Sequence, residues 1–212
     1  MNTAAWLLVA GFQAIAAVDW WAVATERTKV RPFSKPGCML LLIAAAFVLG
    51  PADGGARTWL VAALVLSTLG DVFLLRDDAT SFQLGLGSFL LAHVAYVVGF
   101  VVEGTHGLGL AVGAVAAVGI VATLGRAVVG AARRGDEPAL APPVAVYVLV
   151  ISAMVATAVG THDPRAMAGA ALFAFSDANI AWDRFVTTAT WRPLAIISTY
   201  HLAQALLVVS FS

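Results

Sequence analysis

From its first residue the chain alternates long apolar blocks with short polar knots. The blocks fall at roughly 4–24, 37–51, 58–75, 82–102, 107–131, 142–160, 166–184 and 193–211, and about 20 such residues cross a bilayer core as a helix. Turn-rich segments separate them, such as Pro51-Ala52-Asp53-Gly54-Gly55, Arg133-Arg134-Gly135-Asp136-Glu137-Pro138 and Thr161-His162-Asp163-Pro164. The blocks are continuous rather than alternating, which argues against a sheet barrel. This pattern predicts an all-α integral membrane protein, a single bundle over residues 1–212 of about eight transmembrane helices. The second block is short for a full crossing and needs tilt, local thinning or residues from Pro32-Phe33 to complete it.

Composition agrees with this class. Of 212 residues, 61% are hydrophobic and 11% charged, whereas a soluble domain carries about 25% charged residues to cover its surface. Net charge is zero and no basic stripe suggests nucleic acid. The single cysteine, Cys38, excludes an internal disulfide framework and a multi-cysteine metal site. Met1-Asn2-Thr3-Ala4 has no basic n-region, so the first block reads as a retained helix and not a signal peptide. The bias to Arg over Lys, with abundant Ala, Val and Gly, suits a GC-rich genome. A multi-pass protein of a bacterial inner membrane is the expected setting.

Cation positions then orient the bundle. With eight spans, Arg27, Lys29, Arg31, Lys35, Arg76, Arg126, Arg133, Arg134, Arg184 and Arg192 share one side, leaving Arg57 and Arg165 on the other. Both termini are therefore expected outside and the basic loops in the cytoplasm. Asp19-Trp20-Trp21 then falls at the inner interface, where the indoles read as belt residues and Asp19 as a snorkelling charge.

An ionisable group inside hydrocarbon costs at least about 2.5–3.5 kcal/mol, so it usually faces the bundle interior and marks function. Asp71 in the third span and Asp177 in the seventh are such groups. Ser67 and Asp71 share a helix face, as do His93 and Tyr96 in the fourth span. Tyr200, His201 and Gln204 lie within one arc of the eighth. In the seventh, Ser176, Asn179 and Asp183 form one stripe, Asp177 and Arg184 another. All can converge on a pocket in the cytoplasmic half. Each also has a structural reading: Asp71 could pair with Arg76 and Asp177 with Arg184. The histidines, tyrosines, Asn179 and Gln204 could be interhelical hydrogen-bonders, and Asp183 could merely finish its helix. The third and seventh spans each bear a deep Asp, and the fourth and eighth each bear a His and a Tyr. That is the pattern of a parallel repeat.

Gly70-Asp71-Val72 with its following leucines, Phe89-Leu90-Leu91-Ala92-His93-Val94-Ala95-Tyr96, Leu172-Phe173 with Ser176-Asp177 and Phe185, and Tyr200 with Ala203-Gln204 occur in this order. Together with Lys35-Pro36 they resemble the YhhN family, whose animal relatives are multi-span lysoplasmalogenases. The likeness runs over almost the whole chain, although His201 stands where a second aromatic is expected. The resemblance implies hydrolysis of the vinyl-ether bond of a lysoplasmalogen, a lysophospholipid, to a fatty aldehyde and a glycerophospho-base. It implies neither metal nor organic cofactor. It also implies Asp71 and Asp177 as the essential carboxylates, with Lys35, His93, Tyr96, Ser176, Tyr200 and Gln204 around them.

The chemistry suits two acids. Protonating the β-carbon of an enol ether leaves an oxocarbenium ion for water to capture, much as in glycoside hydrolysis. One carboxyl must be protonated and the other ionised. Burial favours the neutral form and a nearby cation the charged one, so Asp177 suits the acid and Asp71, near Arg76, the carboxylate. The reverse assignment stays open, since Arg184 could fold back on Asp177. Lys35 and Arg184 on the basic side suit a phosphate headgroup, with Asn179 and His201 as further candidate substrate contacts. Two other classes fit the polar residues: a proton-coupled small-molecule transporter, and an intramembrane metal hydrolase using His93, His201 and an Asp.

Overall fold

The computed structural model describes residues 3–48 and 54–212, and these are helical apart from short connections. The helices are α1 (Thr3–Ala24), α2 (Arg31–Val48), α3 (Gly54–Phe73), α4 (Ala79–Glu103), α5 (Gly107–Ile120), α6 (Arg126–Arg134), α7 (Ala141–Gly160), α8 (Pro164–Phe185) and α9 (Arg192–Ser210). A π turn, Val121–Gly125, fuses α5 and α6 into one rod, and a 3₁₀ turn, Pro138–Leu140, leads into α7. The turn expected at Pro51-Ala52-Asp53 and the end of the second block lie outside the described residues. Among the described residues seven helical stretches are long and apolar enough to cross a bilayer, α5 to α6 counting as one. The helix α8 is absent from that set. It has 22 residues but carries Arg165, Asp177, Asp183 and Arg184, and it packs between α7 and α9. The chain is thus an all-α membrane bundle, and α8 carries the buried Asp177 between α7 and α9.

The second helix begins at Arg31, well before the apolar block at 37. Its polar first turn is helical because α1 supplies partners for it. Asp19, fully buried, accepts a 2.5 Å hydrogen bond from Ser34 Oγ and lies 3.8 Å from Arg31 Nε. The expectation of a snorkelling Asp19 is therefore corrected: it is an inward anchor between α1 and α2. Trp20 is likewise no simple belt residue, since its Nε1 donates to His201 Nδ1 at 3.0 Å and ties α1 to α9. Trp21 is half exposed beneath Arg27, as a belt residue would be.

The tightest helix pairs are α1 with α2, α3 with α4, α5 with α7, and α8 with α9. Two glycines illustrate the close approaches. A Cβ on Gly70 would stand 2.6 Å from the Phe89 ring, and one on Gly113 only 2.5 Å from the Ala156 carbonyl oxygen. Asp78 and Asp163 cap α4 and α8 by accepting from Ser81 N and Arg165 N. Burial pushes the Asp163 carboxyl up, but the hydrogen bonds and charge of Arg165 outweigh it and hold the group below its usual range. At that end of the bundle the His106 and His162 rings stack at 4.8 Å. At the other end Arg184 pairs with Glu137 and Asp183 with Arg192.

Candidate active site

The two intramembrane carboxylates have separate surroundings. Asp71, near the end of α3, is 1% exposed, and its Oδ1 lies 2.9 Å from Lys35 Nζ on α2. Tyr200 on α9 donates to its Oδ2 at 2.6 Å, with Met39 Sδ 3.4 Å from the same hydroxyl. The cation of Asp71 is therefore Lys35 and not the exposed Arg76, which corrects the pairing expected from sequence proximity.

Among the described residues Asp177, mid-way along α8, contacts no Lys or Arg. Tyr147 on α7 donates to its Oδ2 at 2.5 Å, and His93 Nε2 on α4 stands 3.5 Å from the same oxygen. The His93 ring packs edge-on against Tyr147 at 5.2 Å and Phe173 at 4.7 Å. Arg184 does not fold back on Asp177. It reaches Glu137 and lies 4.7 Å over the Phe82 ring.

Aromatic rings link the two centres. Phe173 touches both His93, beside Asp177, and Tyr200, beside Asp71. Phe89 touches Phe173 and Tyr200. The centres are also built alike: α2, α3 and α9 supply Lys35, Asp71 and Tyr200, while α7, α8 and α4 supply Tyr147, Asp177 and His93. Each Asp thus takes one partner from the preceding helix and one from a helix distant in sequence.

A narrow apolar groove leads to the second centre. Leu86, Phe89, Leu124, Val128 and Val144 are among its walls, Phe82 and Phe185 stand at its basic end, and Tyr147 and Asp177 are its polar lining. Its space, about 60 Å³, takes only a few water-sized groups. Ile120, Leu124 and Val128, spaced four apart through the π segment, line this one wall. Asp177 lies eight residues from Phe185, about 12 Å along the helix axis.

The other candidate residues make hydrogen bonds within the bundle. Tyr96 donates to Gln204 Oε1 at 2.5 Å, with both side chains fully buried. Ser176 donates to the Ile196 carbonyl of α9, and Asn179 to the Phe175 carbonyl of its own helix. His201 faces Trp20 and Phe12, away from His93. Among the described residues no three His, Cys, Asp or Glu side chains are grouped to hold a metal ion, so the joint His93, His201 and Asp ligand set has no counterpart. Tyr147 escaped the sequence reading because a tyrosine in an apolar block looks like packing.

The YhhN family model matches residues 30–211, a stretch that contains both centres. A Rattus norvegicus protein named lysoplasmalogenase TMEM86B is 33% identical over 174 residues, covering 82% of this chain and 70% of its own. The Homo sapiens lysoplasmalogenase TMEM86B is 33% identical over 175 residues, with 82% and 72% covered. A lysoplasmalogenase of Mycobacterium tuberculosis is 37% identical over 178 residues, with 82% and 67% covered. No solved structure matches the chain.

Proposed function

The chain belongs to the YhhN family, and on that premise we propose that it is a lysoplasmalogenase in which Asp177 is the acid and Asp71 the second, ionised carboxylate. The observation that carries this reading is an apolar groove ending on a buried carboxyl that, among the described residues, contacts no Lys or Arg. A lipid chain can follow such walls, and a carboxyl with only a phenol and an imidazole for partners is suited to giving up a proton inside them. Asp71 is suited to the opposite state, since Lys35 neutralises it at 2.9 Å. In this scheme its negative charge, across the Phe89 and Phe173 rings, steadies the cation that forms when the enol ether is protonated.

The groove admits few atoms, so the vinyl-ether carbons reach Asp177 while most of the hydrocarbon stays in the bilayer. The headgroup then lies at the end where Arg184, paired with Glu137, crosses the Phe82 ring. With basic loops in the cytoplasm and both termini outside, that is the inner leaflet of a bacterial cell membrane. Lys35, committed to Asp71, is left with the carboxylate and not the phosphate.

The test is aldehyde release by the purified chain from a lysoplasmalogen, beside Asp71→Asn and Asp177→Asn. Each variant is expected to stay monodisperse in detergent and to lose at least about 10²-fold in rate, the low end for a positioned acid or base. A saturated alkyl-ether lysolipid should inhibit without being cleaved, because it has no double bond to protonate. Near-normal activity in either variant removes that residue from the mechanism, and comparable turnover of an ester lysolipid replaces the assignment with a general lysophospholipase.

A further inference from the structure

We infer that Tyr147 is a positioning residue that decides which oxygen of Asp177 carries the proton given to the substrate. The inference rests on the proposed function and deepens it. Tyr147 is buried in α7 and lines the groove. Its hydroxyl donates to Asp177 Oδ2 at 2.5 Å, and His93 Nε2 faces the same oxygen at 3.5 Å. Among the described residues Oδ1 accepts no hydrogen bond. Asp177 is 9% exposed and forms part of the groove wall, so Oδ1 is the oxygen that an incoming carbon can approach.

A neutral carboxyl has one hydroxyl oxygen and one carbonyl oxygen. The oxygen that accepts the phenol proton acts as the carbonyl, which leaves the hydroxyl on Oδ1. Tyr147 on α7 partners Asp177 on the following helix, as Lys35 on α2 partners Asp71. A lysine there would lock Asp177 as an anion. A phenol instead serves the neutral acid before proton transfer and the carboxylate after it.

The reaction balances around that one oxygen. The Oδ1–H bond breaks as a C–H bond forms at the β-carbon from the vinyl π electrons, and the ether oxygen shares the positive charge. Water adds to the α-carbon and returns a proton to Oδ1, giving a hemiacetal. The hemiacetal hydroxyl proton passes to the glycerol oxygen as the C–O bond breaks, releasing aldehyde and alcohol. One water is consumed and nothing is oxidised.

The experiment measures kcat and KM for aldehyde release from a lysoplasmalogen against pH, with the full chain in detergent. Tyr147→Phe is expected to lower kcat by about 10- to 100-fold, the range for a hydrogen bond to a charged group, with little change in KM. It should also move the fall of kcat at high pH to higher pH. Without its donor the carboxylate is the less favoured state, so the proton stays on longer. Tyr147→3-fluorotyrosine keeps the shape, strengthens the donor and should move that fall to lower pH. If Tyr147→Phe does not purify folded, the fluorinated variant decides alone. Opposite shifts in the two variants support the assignment. An unchanged kcat, or a lower kcat with an unmoved profile, overturns the positioning role while wild-type turnover keeps the enzymatic reading standing. No aldehyde from the wild type overturns both.

Discussion

Replacing Lys35 by methionine leaves Asp71 buried without its cation. The pair is 2.9 Å long, and the two side chains are 9% and 1% exposed. At that distance two unit charges attract by about 6 kcal/mol for an effective dielectric near 20. Removing one member of such a buried pair costs roughly 3–5 kcal/mol, because the other charge stays uncompensated. For a chain of this length that corresponds to a fall in Tm of about 6–20 °C, at roughly 2–4 °C per kcal/mol. Removing both members, in Lys35→Met with Asp71→Asn, also removes the stranded charge, so the double variant should regain most of the Tm. Activity should not follow. Lys35→Met, Asp71→Asn and the double variant are all expected to lose at least about 10²-fold in turnover. Thermal unfolding in detergent, followed by tryptophan fluorescence, reads the first quantity and aldehyde release the second. A Tm for Lys35→Met within about 1 °C of wild type, or a double variant whose loss is the plain sum of the single losses, would refute the claim that Lys35 acts by neutralising Asp71.

Two further outcomes follow from the position of the groove. Arg184→Gln should raise KM more than it lowers kcat, because a phosphate contact persists from ground state to transition state; a loss confined to kcat, measured by steady-state aldehyde release, would take Arg184 out of headgroup binding. Cysteines placed singly in the 25–30 and 186–191 connections of a Cys38→Ala background should label in inverted vesicles and not from outside intact cells. Labelling from outside inverts the topology and removes the inner-leaflet proposal.

The linear pattern carries the helices because bilayer thickness dictates the length of each apolar block. It fails at α2, whose first turn is polar and looks like a loop. Only the buried Asp19 of α1, against Ser34 and Arg31, makes a helix of it. Asp71 and Asp177 stand out in the sequence because a charge in hydrocarbon is expensive wherever it lies. Their partners do not stand out, since helical spacing says which residues share a face and nothing of which helix that face meets. Hence Lys35, some 36 positions from Asp71, could not be told from a headgroup ligand, and Arg184 looked able to fold back on Asp177. Tyr96, Gln204 and Ser176 illustrate the same limit. Their polarity was visible, but whether they face a groove or a neighbouring helix depends on rotation about the helix axis.

The two carboxylate centres bear on how a bundle of similar helices can hold two acids in different states. Acids in like surroundings titrate alike, and a reaction of the proposed kind needs one of them loaded and the other empty. Here they differ in the partner that the preceding helix supplies, an ammonium beside Asp71 and a phenol beside Asp177. On the proposed roles, the division of labour therefore turns on side-chain identity at one contact of each Asp, with the helices around it left free to keep their packing.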